Sequence, residues 1–91
     1  MRGINKERIA VASKLKEVRL RDFLIDNQKT FAEKIINMSR QQYSRYETGE
    51  MIPQMDTAFI IRDRINAALK EKGINKSYTL DELFYPVYPE K

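Results

Sequence analysis

The 91 residues suit one domain, and the composition, 42% apolar and 33% charged, suits a folded and mostly helical chain with a modest core. With neither cysteine nor histidine, disulfides and the commonest metal ligands and general base are missing, so no metal or cofactor is expected and a reducing cytoplasm is the expected setting. The net charge of +4 is uneven: residues 1–48 carry 11 Lys and Arg against 6 Asp and Glu, and residues 49–91 carry 6 against 7, which fits either a solvated surface or a side that faces a polyanion.

Glycine and proline are scarce, which favours helices. The first is predicted over Lys6–Leu24, with Asn5 as its N-cap, Glu7 in the first turn, an apolar stripe of Ile9, Ala12, Leu15 and Val18, and an outer Glu17–Arg21 pair. Ile25–Asn27 ends it. Asn27 then caps a second helix, Gln28–Ile36, that buries Phe31, Ala32 and Ile35, and Asn37 closes it in the left-handed conformation. Ser39-Arg40-Gln41-Gln42 reads as a capping box: the Ser39 hydroxyl accepts from the Gln42 amide and the Gln42 side chain reaches back, with Met38 and Tyr43 as a hydrophobic staple. This third helix stops at Gly49.

Pro53 introduces a long fourth helix to about Lys72, whose apolar positions are Met55, Ala58, Phe59, Ile61, Ile65 and Leu69. Gly73 ends it and Ile74–Tyr78 is a loop. Thr79-Leu80-Asp81-Glu82 is a second capping box, stapled by Tyr78 and Leu83, and opens a short fifth helix stopped by Pro86. The expected fold is all-α: a compact five-helix domain over residues 1–85 with a loosely ordered tail at 86–91.

Two short helices joined by a tight turn, the second with a defined start, make a helix-turn-helix pattern. In the third helix Tyr43, Tyr46 and Glu47 share the side of Met38, so the tyrosines are read as core. Arg40, Gln41, Ser44, Arg45 and Thr48 lie on the opposite side, almost entirely hydrogen-bonding groups. Arg matches guanine O6 and N7, and Gln matches adenine N6 and N7, each as a two-pronged contact. Taken without its surroundings, such a face is more often an ordinary solvated one. Gln28, at the start of the second helix, is placed to clamp a phosphate. Arg2, Lys6 and Arg8 form a basic arm that either follows a DNA backbone or is unordered. No paired-carboxylate motif, glycine-rich phosphate loop or nucleophile elbow is present, so an enzyme is not expected.

The stretch from Leu15 to Phe84 resembles the phage repressor/Cro-like (XRE) helix-turn-helix family. The resemblance rests on Leu15-Lys-Glu-Val-Arg19, Asn27-Gln28, Phe31-Ala-Glu-Lys-Ile35, Ser39-Arg-Gln-Gln-Tyr-Ser-Arg-Tyr-Glu-Thr-Gly49, Pro53-Gln-Met-Asp-Thr57 and Leu80-Asp-Glu-Leu-Phe84. It implies a lambda-repressor-like five-helix fold with the third helix in the major groove. It implies base contacts from Arg40, Gln41, Ser44 and Arg45, phosphate contacts from Gln28 and Thr48, and a structural ion pair between Arg19 and Glu47. Ser39, at the N-terminus of the reading helix, is taken as a further phosphate contact. The chain departs from the family pattern where Ile36-Asn37 replaces a single glycine, in a longer link between the first two helices, in a longer fourth helix and following loop, in Glu50 for a basic residue, and in Tyr43 for a β-branched aliphatic one.

The expected function is therefore a transcriptional regulator, a repressor, bound to double-stranded DNA as a homodimer on a pseudo-palindromic operator. Leu80, Leu83, Phe84, Tyr85, Val87 and Tyr88 are either its dimer surface or the closure of the core. The rival reading is an antitoxin-like or anti-regulator protein that acts through a regulatory protein partner; its support is the near-neutral second half, the long fourth helix and the aromatic tail. No membrane association is expected.

Overall fold

The computed structural model describes residues 10–88. In chain order the elements are β1 (Ala10–Ser13); α1, which opens as Leu15–Glu17 and continues through Val18–Asp22; α2, which opens as Gln28–Thr30 and continues through Phe31–Ile36; α3 (Arg40–Thr48); α4 (Met55–Glu71); α5 (Leu80–Leu83); and β2 (Phe84–Val87). The second parts of α1 and α2 are wound in the wider π manner. The fold is thus five helices plus one two-stranded antiparallel ribbon, with Ala10 opposite Val87 and Ser13 opposite Phe84.

The ribbon corrects the sequence reading at both ends of the chain. Residues 10–13 are a strand and not the front of the first helix, and Asn5, Glu7 and Ile9 fall outside the described residues, as does the basic arm. Helical spacing of Ala12, Leu15 and Val18 is a local signal, whereas pairing with β2 is a contact between opposite ends of the chain. That pairing outweighs a weak propensity. At the other end, Pro86 and Val87 are paired in β2 and not loose, and the expected boundary after residue 85 runs through the strand. Pro86 is tolerated because each strand of a two-stranded ribbon has one unpaired side. The helix proper starts where Ser13 Oγ accepts from the Leu15 N–H at 3.1 Å, and the Lys14 N–H donates to the Leu83 carbonyl at 2.8 Å. Strand, helix start and α5 are thereby tied together.

Several of the other local signals have formed the expected structures. Asn27 Oδ1 accepts from the Thr30 N–H at 3.2 Å. Asn37 (φ 64°) and Gly49 (φ 84°) close α2 and α3 in the left-handed region. At α5 the Thr79 N–H donates to Glu82 Oε1 at 2.8 Å. The long loop after α4 is held by Asn66, whose side chain donates to the Tyr78 carbonyl at 2.9 Å and accepts from the Tyr78 N–H at 2.8 Å. Tyr78 OH in turn donates to Asp22, which also pairs with Lys76 at 3.0 Å. These contacts fasten the loop to the end of α1.

The core lies where α1, α2, α3, α4 and α5 converge. Leu15, Val18, Phe31, Ala32, Ile36, Tyr43, Ile61, Ile65, Leu69 and Leu83 are wholly buried. Phe31 sits at its middle, edge-on to Phe23 at 5.3 Å and tilted against Tyr43 at 5.5 Å between ring centres; such aromatic pairs contribute roughly 0.5–1.5 kcal/mol beyond area burial. Two expected positions on α4 differ: Met55 and Phe59 are exposed, while Ala58, Ile61, Ile65 and Leu69 face inward. The described helices include none long and apolar enough to cross a membrane.

Candidate nucleic-acid interface

The third helix is anchored on its inner side before its outer side can be used. Ser39 Oγ accepts from the Gln42 N–H at 3.2 Å, which sets the first turn. The expected return bond from Gln42 is not made; its amide donates instead to Tyr46 OH at 3.1 Å, one turn along the same helix. Tyr43 and Tyr46 are buried, which places both rings in the core. Met38 packs against that core, beside the helix start.

The helix end is held by an ion pair. Arg19 Nε and Nη2 each donate to a Glu47 carboxylate oxygen at 3.0 Å, with both side chains about as buried as core residues. The rest of the guanidinium reaches the carbonyls of Ile25 (3.1 Å) and Asp26. Gln28 Nε2 adds a third bond to Glu47, at 2.8 Å, and Ser13 Oγ donates to the Glu47 carbonyl at 3.5 Å. The Arg19–Glu47 pair thus joins α1, the α1–α2 link, the start of α2 and the end of α3. Burial pushes the Glu47 carboxyl up, but the hydrogen bonds from Arg19 and Gln28, the nearby Tyr43 hydroxyl and the charge of Arg19 outweigh it and hold the group below the usual carboxylate range. The Arg19 guanidinium is raised above its ordinary value, chiefly by its bond to Glu47. Tyr43 OH lies beside this pair without a partner at hydrogen-bond geometry. Its ionisation is pushed far up, first by burial and then by the neighbouring Glu47, so the phenol is neutral at any ordinary pH.

The outer side is open. Arg40, Gln41 and Arg45 are exposed, Ser44 is half-buried between them, and Thr48 is exposed at the end. Arg40, Gln41, Ser44 and Arg45 make no side-chain hydrogen bond or ion pair among the described residues. Thr48 Oγ1 donates to the Arg45 carbonyl at 3.3 Å and accepts from the Glu50 N–H at 3.4 Å, so it finishes the helix as well as facing outward. Ser39 is exposed, with its hydroxyl turned onto the Gln42 amide, and Gln28 is half-buried, with its amide turned onto Glu47.

The six residues named as a dimer surface divide. Leu83 is wholly buried against the helices, so it belongs to the core and to no surface. Leu80 and Phe84 are half-buried and, with Ile52, Pro53, Met55, Ala58 and Asp81, line an open apolar groove between the start of α4 and α5. Tyr85, Val87 and Tyr88 are exposed along β2 and just beyond it. The sequence reading missed the Ile52 and Met55 half of this groove. Its signal was an apolar pair straddling Pro53, which periodicity assigns to the core of α4 as readily as to a surface. It also missed Arg64, whose Nη1 donates to the Ile36 carbonyl at 2.7 Å across from α4 to the end of α2.

Comparison with known families gives a match to the family described as helix-turn-helix over residues 15–72, from the first turn of α1 to just past the end of α4. Neither the curated proteins nor the solved structures include a significant match.

Proposed function

This chain belongs to the XRE/Cro-like helix-turn-helix family of DNA-binding transcription regulators, and on that premise we propose that it reads one specific duplex sequence by laying α3 in the major groove. In this reading Arg40, Gln41, Ser44 and Arg45 meet base edges, while Gln28, Ser39 and Thr48 meet phosphates and fix the register. The observation that carries it is the contrast between the two sides of α3. The inner side is tied down by Glu47, Tyr43 and Tyr46, and the outer side presents four polar side chains with no internal partners among the described residues. A reading helix needs both, because base discrimination requires rigid placement and unoccupied hydrogen-bonding groups.

The protein acts as a homodimer on a pseudo-palindromic operator, with half-sites about 34 Å apart, one helical turn, and as a repressor in the cytoplasm by occupying that site. Its dimer surface is the groove of Leu80 and Phe84 with the exposed Tyr85, Val87 and Tyr88, extended by Ile52 and Met55 and without Leu83. The test is selection of the purified protein against a random duplex library at about 150 mM salt, where non-specific backbone binding is weakened. Enrichment of two inverted half-sites supports the whole reading, and a single half-site supports DNA reading without the dimer. No enrichment from folded protein turns the reading to an antitoxin-like or anti-regulator role, in which the same apolar groove receives a protein partner.

A further inference from the structure

We propose that Arg64 is a positioning residue for the DNA-reading helix: from α4 it holds the carbonyl that ends α2 and so sets the turn from which α3 departs. The turn is short and its two sides are closed differently. On the inner side, the Asn37 and Met38 N–H groups both donate to the Ala32 carbonyl, the latter at 2.9 Å, which wraps the chain back over the π-wound end of α2. Asn37 then takes the left-handed conformation and Ser39 starts α3. The Ile36 carbonyl is one of the helix-terminal acceptors that no residue of its own helix can satisfy. Arg64 Nη1 satisfies it at 2.7 Å, and this is the guanidinium's one side-chain hydrogen bond among the described residues.

Three features make this more than a surface contact. Arg64 is half-buried, flanked along α4 by the wholly buried Ile61 and Ile65, so its stem emerges from a fixed part of the core. A cation at a helix C-terminus also faces the negative end of the helix dipole, and a charged donor makes the stronger kind of hydrogen bond. Finally, Ile36 itself is core, so its carbonyl cannot move without moving a packed side chain. The long fourth helix therefore serves as the strut against which the turn is set, and the direction of α3 depends on a residue that need touch no DNA.

This inference rests on the DNA-reading proposal, and the test separates the two. Arg64→Met keeps an unbranched stem and removes the donor, while Arg64→Lys keeps the charge and a donor. Both are compared with the starting protein, well below their melting temperatures, on the selected duplex and on an unrelated duplex over a range of salt. Arg64→Met is expected to lower the ratio of specific to non-specific affinity about tenfold, within the worth of one base contact. Non-specific affinity and its salt slope should be unchanged, and Arg64→Lys should recover most of the ratio. In the same samples without DNA, amide exchange at Met38 should quicken about tenfold in Arg64→Met while that of Tyr43 holds. A ratio within about twofold of the starting protein, or a salt slope smaller by about one, the mark of a lost phosphate contact, overturns the proposal. Unchanged exchange at Met38 also overturns it, and that measurement tests the hold of Arg64 on the turn even if the protein selects no DNA at all.

Discussion

Replacing Glu47 by Gln removes one negative charge and almost no volume, yet it should be among the most damaging single changes in the chain. The carboxylate takes two bonds from Arg19 and one from Gln28, in a site where both ion-pair side chains are nearly inaccessible. In the variant, Arg19 stays buried without a counter-charge, and the new amide turns N–H groups toward donors. Breaking a buried pair from one side costs about 3–5 kcal/mol. The lower end applies here, because Arg19 keeps the carbonyls of Ile25 and Asp26 as acceptors. With an unfolding entropy of about 2.1 cal/mol/K per residue, a loss of ~3 kcal/mol lowers Tm by about 15 °C. Thermal melts followed by circular dichroism at pH 7, with urea titrations alongside, measure this directly. Because the cost comes from an orphaned charge, Arg19→Met combined with Glu47→Leu should be less than about 1 kcal/mol from the starting protein. A Glu47→Gln loss under about 1 kcal/mol, or a double variant as unstable as the single one, would refute the reasoning. The pH dependence has a definite sign. Glu47 titrates below its ordinary value when folded, so its contribution is complete above about pH 4.3, the unfolded carboxyl value, and is lost as pH falls through the folded value. Between pH 5 and 7 this contribution should stay constant, and below that the starting protein should lose its advantage over Glu47→Gln.

Other outcomes follow from the same geometry. Leu24 holds a left-handed backbone (φ 56°) with its side chain 80% exposed, so Leu24→Gly should raise stability by about 0.5–1 kcal/mol in a urea titration, and a loss would mean the side chain has a contact worth more than the strain. Gln41→Ala and Arg45→Ala should each weaken binding to the selected duplex by about 1–3 kcal/mol and barely alter binding to unrelated DNA, while Gln28→Ala weakens both alike; equal effects of all three on every duplex would dissolve the division into base readers and phosphate contacts. Leu83→Asp should abolish folding by placing a carboxylate in the core, whereas Met55→Asp with Tyr88→Asp should leave Tm within a few degrees and convert a sedimenting dimer to monomer. A folded, still dimeric double variant removes the groove from the interface.

Much of this protein is legible from the chain because its signals act over one helical turn. Asn27 and Ser39 cap because a short polar side chain meets an amide three residues on. Asn37 and Gly49 end helices because they accept a positive φ that other residues resist, and the polar side of α3 opposite Tyr43, Tyr46 and Glu47 follows from helical geometry alone. What the tertiary structure decided are matters of partners distant in sequence. Residues 10–13 carry helix-compatible spacing and become a strand because Phe84–Val87 arrives beside them. Leu83 and Tyr85 look alike as apolar residues near the end of the chain, but only Leu83 meets the packed helices, and its neighbour stays outside. Met55 and Phe59 have core spacing and face solvent, because the stripe on α4 is wider than the surface of α2 and α5 available to cover it. Arg64 reads as one more charge on a helix until α2 presents a carbonyl to it. Short-range geometry is written in residue order, whereas burial and long-range pairing depend on which surfaces the assembled helices leave uncovered.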